Sequence, residues 1–211
     1  MEDPKATLLR YLRRERAEIL AKVDGLGEYD VRRPLTRTGT NVLGVVKHVA
    51  SVQLGYLHHT FGGEPVDLPW LREGAEVNAD MWVTADESRQ DVLDLFRRSS
   101  QLSDATVAPL DLDATGAVPW WPPERRTITV HLALVHMLDE MARHCGQLDI
   151  VRELIDGEAG DLRGNLPNLS EDDWTAYRAR IEAAAVEAAR RADTADRPAP
   201  PTGHRQSTTG R

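Results

Sequence analysis

Residues 136–157 read HMLDEMARHCGQLDIVRELIDG, and the spacing of their apolar positions decides what kind of chain this is. Advancing about 100° per residue places Met137, Glu140, Met141, His144, Leu148, Val151 and Ile155 within about 60° either side of one line. The period is helical, and the stripe is wide enough to face a core. Two of its members do not belong in a plain core. A carboxylate buried without a partner is strongly unfavourable, so Glu140 must be neutral, paired with a cation or bound to a metal. Glu140 and His144 are one turn apart, with Cβ atoms about 6 Å from each other, and can converge on one ion. His136 starts about 12 Å of helix rise from His144 and points roughly 80° away, which leaves it as a polar-face or supporting residue.

The same period runs through most of the chain. Leu8, Leu12, Ile19 and Val23 form the stripe of a first helix from about Pro4 to Asp24, before Gly25. A second helix carries Val42, Val45, Val46, Val49, Val52 and Tyr56 and stops at Gly62-Gly63. Its valines lower helix propensity, so burial must stabilise it. Residues 63–83 form a long irregular connection. Thr84 and Glu87 have capping-box spacing and open a third helix, with Val92, Leu95, Phe96, Ser99 and Leu102 inward. A second long connection holds VPWWPPERRT, with a brief extended piece near Arg126–Thr129. The fourth helix runs from about Ile128 to Ile155, and Ser170 caps a fifth. Four amphipathic helices with two long connections predict an all-α protein: a four-helix bundle of crossover topology, with the fifth helix packed outside. The domain is expected over residues 1–191. Residues 192–211, rich in Pro, Thr and Gly, are expected to be a disordered tail.

Composition narrows the function. The net charge of −8 offers no basic footprint for nucleic acid. No segment approaches a membrane span and the N-terminus lacks the apolar run of a signal peptide, so a cytoplasmic protein is expected. Cys145, the single cysteine, excludes an intramolecular disulfide and a Cys-rich metal site. It reads as a small apolar packer.

A metal held by Glu140 and His144 needs a ligand from another helix. His48 lies at the flank of the second helix's apolar stripe and can supply it; His58 and His59, near the helix end, are rivals. The alternative without a metal is a buried salt bridge from Glu140 to Arg143 or Arg152, in a plain helical interaction module.

VLGVVKHVASVQLGYL in the second helix and VHMLDEMARHCGQLDIVRELIDG in the fourth resemble the DinB-like metalloprotein superfamily over most of residues 4–157. The resemblance implies a crossover four-helix bundle that binds a divalent metal through one histidine of the second helix and two residues of the fourth. With Glu140 at the first of those two positions, the set is similar to that of mycothiol-dependent maleylpyruvate isomerase and related mycothiol S-transferases. By that match His48, Glu140 and His144 are the ligands. Gln147 stands where related chains often carry histidine, so no further fourth-helix histidine ligand is implied.

The function implied is a thiol transferase or isomerase that activates mycothiol, or a similar small thiol, for attack on an electrophile. The alternative is a metal-binding stress-response protein of the same fold without turnover. Two imidazoles and a carboxylate with an open position suit zinc, and nickel would accept the same set. Around the metal, Gln53 and Tyr56 are expected to line the cosubstrate pocket. Arg37 and Asn41, in RTGTN before the second helix, are expected to offer a cation and backbone N–H groups to it, although an N-cap by Thr38 or Thr40 explains the same letters. Trp120, Trp121, Arg125 and Arg126 would wall the cleft or cover the bundle end. A monomer or homodimer is expected.

Overall fold

In the computed structural model, which describes residues 3–160, 164 and 166–195, the apolar stripes become helices around a shared core. The chain divides into two compact units, Met1–Leu166 and Pro167–Arg211. Helix α1 (Pro4–Ala21) starts where Asp3 accepts the Ala6 amide at 2.8 Å, with Pro4 in its first turn. It ends short of the expected Asp24. Arg152 takes the carbonyls of Lys22 at 3.1 Å and Asp24 at 2.6 Å, which turns the chain out of the helix. A short helix that the apolar period does not announce, α2 (Glu28–Arg32), follows.

Helix α3 (Val42–Gln53) buries Val42, Val45, Val46 and Val49, as their burial requirement demands. Its cap is Asn41, whose side chain accepts the Gly44 amide at 2.7 Å; Thr38 and Thr40 are not the cap. Beyond Gln53 the helix loosens into a π turn, Leu54–His58, then a 3-10 turn, His59–Phe61, and stops at Gly62 with φ +84°.

The connection after it lies on α3. A Cβ on Gly44 would stand 1.8 Å from the Met81 carbonyl, so only glycine permits this approach. The Lys47 ammonium, 2% exposed, reaches Glu87 at 2.8 Å and the Trp82 carbonyl at 3.1 Å, and sits 4.1 Å over the Trp70 ring. One buried cation thus fastens the connection at three points.

Helix α4 (Arg89–Val107) is capped by Ser88, which accepts the Asp91 amide at 3.1 Å. The expected box at Thr84 does form, with Glu87 accepting the Thr84 amide at 2.8 Å, but it closes a turn ahead of the helix. Glu87 is held there by Lys47. Val92, Phe96, Ser99, Ser103 and Val107 face inward, while Leu95 and Leu102 fall at the flanks. The next connection folds into an antiparallel hairpin of β1 (Thr115–Ala117) and β2 (Thr127–Thr129). Its loop lays Trp120 against Gly55, where a Cβ would meet the ring at 2.6 Å.

Helix α5 (Val130–Asp156), capped by Thr129 and ended by Gly157 at φ +82°, buries Met137, Met141, His144, Leu148 and Val151. It packs against α1 and α3, while α3 packs chiefly against α4. The first two long helices, α1 and α3, are therefore not each other's main partners, which is the crossover arrangement. In the second unit, α6 (Glu171–Ala195) starts as expected at Ser170, which accepts the Asp173 amide at 3.2 Å. It runs past the expected boundary at 192; residues 196–211, the rest of the expected tail, lie outside the described residues. Among the described residues no helix is long and apolar enough to cross a membrane.

Candidate metal centre

Three side chains expected to be ligands converge. His48 from α3 and Glu140 and His144 from α5 each offer one ligand atom, and these atoms lie within 4.8 Å of one another. Nε2 of His144 is 3.3 Å from a Glu140 carboxylate oxygen. Two ligands of a tetrahedral ion at roughly 2.0–2.1 Å stand about 3.3 Å apart, so this pair already has the spacing of a coordination edge. The His48 and His144 rings meet edge-on, with centroids 4.9 Å apart.

Each imidazole has one nitrogen held by a protein acceptor. Asp80, from the connection pinned by Lys47, accepts from Nδ1 of His48 at 2.6 Å. A carboxylate only accepts, so the proton is on Nδ1 and the Nε2 lone pair is free. Gln147 likewise accepts from Nδ1 of His144 at 2.9 Å. Gln147 therefore orients the His144 ring here. Acceptors of this kind fix a ligating ring and raise its basicity. Burial pushes the His144 imidazole below the usual histidine range, and the neighbouring His48 adds to this against the opposing pull of Gln147 and Glu140. The hydrogen bond from His48 holds Asp80 below the usual carboxylate range despite burial. A neutral imidazole, an ionised anchor and a half-buried carboxylate are what a divalent cation requires, and the donor set fits one.

The competing salt bridge fails for Arg152, which is committed to Lys22, Asp24 and Asp156 on the far side of α5. Arg143 is exposed. The rival histidines are spoken for. His58 bonds Thr106 at 2.6 Å through Nδ1 and the Glu64 carbonyl at 3.0 Å through Nε2. His59 accepts the Val66 amide through Nε2 at 3.0 Å.

The residues expected around the cosubstrate separate. Tyr56 lines a cavity of about 780 Å³ that reaches Glu140, and it packs edge-on against Trp120 and Trp121 at 5.2 and 6.0 Å. Asn41 lines a second cavity of about 720 Å³ reaching His48 and His144, although its amide mainly caps α3. Arg37 is exposed in a turn and forms no part of either wall; Arg32 lines the second cavity instead. Gln53 is in neither wall. Fully buried, it accepts from Arg16 at 3.1 Å and donates to Ser99 and Ser100, a polar link between α1, α3 and α4. Its amide is consumed within the core.

Asp80 was not legible as part of the site, because no spacing ties a loop residue to a helix histidine. Gln147, one turn beyond His144 on the same helix, could have been found as an acceptor from the i, i+3 relation alone.

A crossover four-helix bundle that gathers two histidines and a glutamate at a solvent-reachable point, a set that could hold a metal, defines a protein of the DinB-like superfamily. The chain belongs to the mycothiol S-transferase family, whose model matches residues 7–157. A crystal structure of a conserved protein from Enterococcus faecalis is similar to it, with a TM-score of 0.58 and 17% identity over 75% of this chain and 100% of the other. At that identity the likeness concerns the fold. No curated protein sequence matches significantly.

Proposed function

We propose that this protein is a divalent-metal-dependent S-transferase that conjugates mycothiol, or a closely similar small thiol, to an electrophilic carbon. The observation that carries the reading is the orientation of the two imidazoles. Asp80 and Gln147 occupy both Nδ1 atoms, leaving two Nε2 lone pairs and the Glu140 carboxylate to hold one ion from three directions. Zinc suits this set, and nickel is the alternative. Such an ion with an open position supplies the Lewis acidity that favours a thiolate over a thiol of pKa about 8.5 at neutral pH.

The chain's own residues do the rest. Glu140 leaves a net charge of about +1 on the centre, so one anionic sulfur is still attracted. Asp80 and Gln147 keep both rings from turning when the thiol arrives. In the transfer, the thiol S–H proton passes to solvent, a sulfur lone pair forms the C–S bond, and the leaving group departs with the electron pair of its broken bond. No nucleophilic cysteine is needed. Burial and nearby carboxylates push the Cys145 thiol up to about 12, which suits a packing role.

The direct test is to incubate zinc-loaded protein with mycothiol and monochlorobimane, which loses chloride on conjugation. Adduct formation should exceed the metal-stripped control; equal rates would turn the reading towards a metal-binding protein without turnover.

A further inference from the structure

Resting on the thiol-transfer reading, we infer that the two substrates approach the metal from separate clefts: the polyhydroxylated thiol from the side of His48 and His144, and an apolar, uncharged electrophile from the side of Glu140. The triad lies where two cavities meet. Glu140 is in the wall of the larger and His48 and His144 in that of the other, with Asp80 in both.

The walls differ in the hydrogen bonds they have left to give. In the Glu140 cleft Ser51, His59 and Arg72 are already bonded to protein, which leaves, among the described residues, the Tyr56 hydroxyl and the Trp120 indole N–H as its free neutral donors. Ser51 accepts from Trp70 at 2.9 Å and donates to the Lys47 carbonyl at 2.8 Å. His59 accepts the Val66 amide. The Arg72 guanidinium is paired with Asp67 through two contacts, one of 2.8 Å. What remains is Val52, Leu68, Leu71 and the rings of Tyr56 and Trp120. Such a wall desolvates an apolar body, leaves the Tyr56 phenol to orient it, and offers no uncommitted cation to an anion.

The second cleft is the reverse. Among the described residues, the Thr40 hydroxyl, the Asn78 amide and the NH₂ of Gln147 have no protein partner, and all three residues line it. Asn78 sits at φ 61°, the left-handed region that a non-glycine residue rarely adopts, and this conformation presents it at the wall. Arg32, also in the wall, is committed to the carbonyls of Thr84 and Glu87, both at 2.9 Å. Uncharged donors and acceptors without a free cation suit the hydroxyls of a sugar or cyclitol. Separate entry also explains how two substrates reach one ion without displacing each other.

The test uses two probes on the zinc-loaded full chain: mycothiol by calorimetry, and the neutral fluorophore N-phenyl-1-naphthylamine by emission. In the unaltered protein both should bind at once. Leu71→Asp, at a residue 56% exposed, should weaken the naphthylamine about ten-fold and leave mycothiol unchanged. Asn78→Gly with Thr40→Val should do the opposite, by about ten-fold. Competition between the probes in the unaltered protein, failure of either to bind it, or loss of both probes in one variant would overturn the assignment. Independent binding of both probes, with no adduct formed from mycothiol and monochlorobimane, would leave the clefts standing and remove only the transferase reading.

Discussion

Asp80 Oδ2 lies 2.6 Å from His48 Nδ1, a contact between residues 32 positions apart that joins an irregular connection to the helix carrying the first metal ligand. It fixes the tautomer and direction of the His48 ring, the first of the proposed metal ligands. Asp80→Ala is therefore expected to lower zinc affinity about 10–100-fold, measured by competition with a chromogenic chelator. Helical content should not change, since the connection is also held by Lys47. Unaltered affinity would mean that the carboxylate does not position the ring.

Glu140→Gln removes a charge from the centre and keeps the shape of the side chain. Zinc affinity should drop by at least about a hundred-fold, whereas the thermal midpoint of the metal-free protein stays within a few degrees. A large loss of metal-free stability would reassign Glu140 to a structural ion pair.

Gln53 offers the contrasting case. Replacing it by Ala leaves the buried Arg16 with one partner fewer and should destabilise the fold by about 2–4 kcal/mol in urea titration, while zinc affinity is unchanged. A variant that folded as stably as its parent but bound mycothiol more weakly would restore Gln53 to the pocket.

The metal-free protein should weaken on mild acidification. The His144 imidazole is held below its ordinary pKa of 6.5 in the folded state, so below that value the unfolded chain binds the proton first. The stability associated with the neutral ring is complete above pH 6.5 and is lost as pH falls through the folded-state pKa. The urea midpoint should thus fall further between pH 7.5 and 5.5 in the unaltered protein than in His144→Gln. Equal falls would place the proton elsewhere.

The bundle and the shared face of Glu140 and His144 were readable because each is written locally. A period of 3.6 puts Glu140 and His144 on the same stripe as Met137 and Met141, with Glu140 at its edge, where the side chain stays 26% exposed in a cavity wall rather than fully buried. What the period cannot report is which neighbour satisfies a polar group across helices. Gln53 and Tyr56 lie on the same helix beyond His48, yet one ends against Arg16 in the core and the other in a cleft wall. The same limit applies to Glu87, whose spacing from Thr84 is that of a capping box although Lys47 holds it in a preceding turn. Asp80 lies in a segment with no period at all, and the packing of Met81 on Gly44 together with the Lys47 contacts brings it to His48.

The account stands on one ion shared by His48, Glu140 and His144, and X-ray absorption at the zinc edge, on protein loaded to equivalence, tests it most directly. Two imidazole nitrogens and at least one carboxylate oxygen at about 2.0–2.2 Å, in one zinc per chain, are expected. A spectrum without imidazole scattering, or one left unchanged in His48→Ala and His144→Ala, would contradict it.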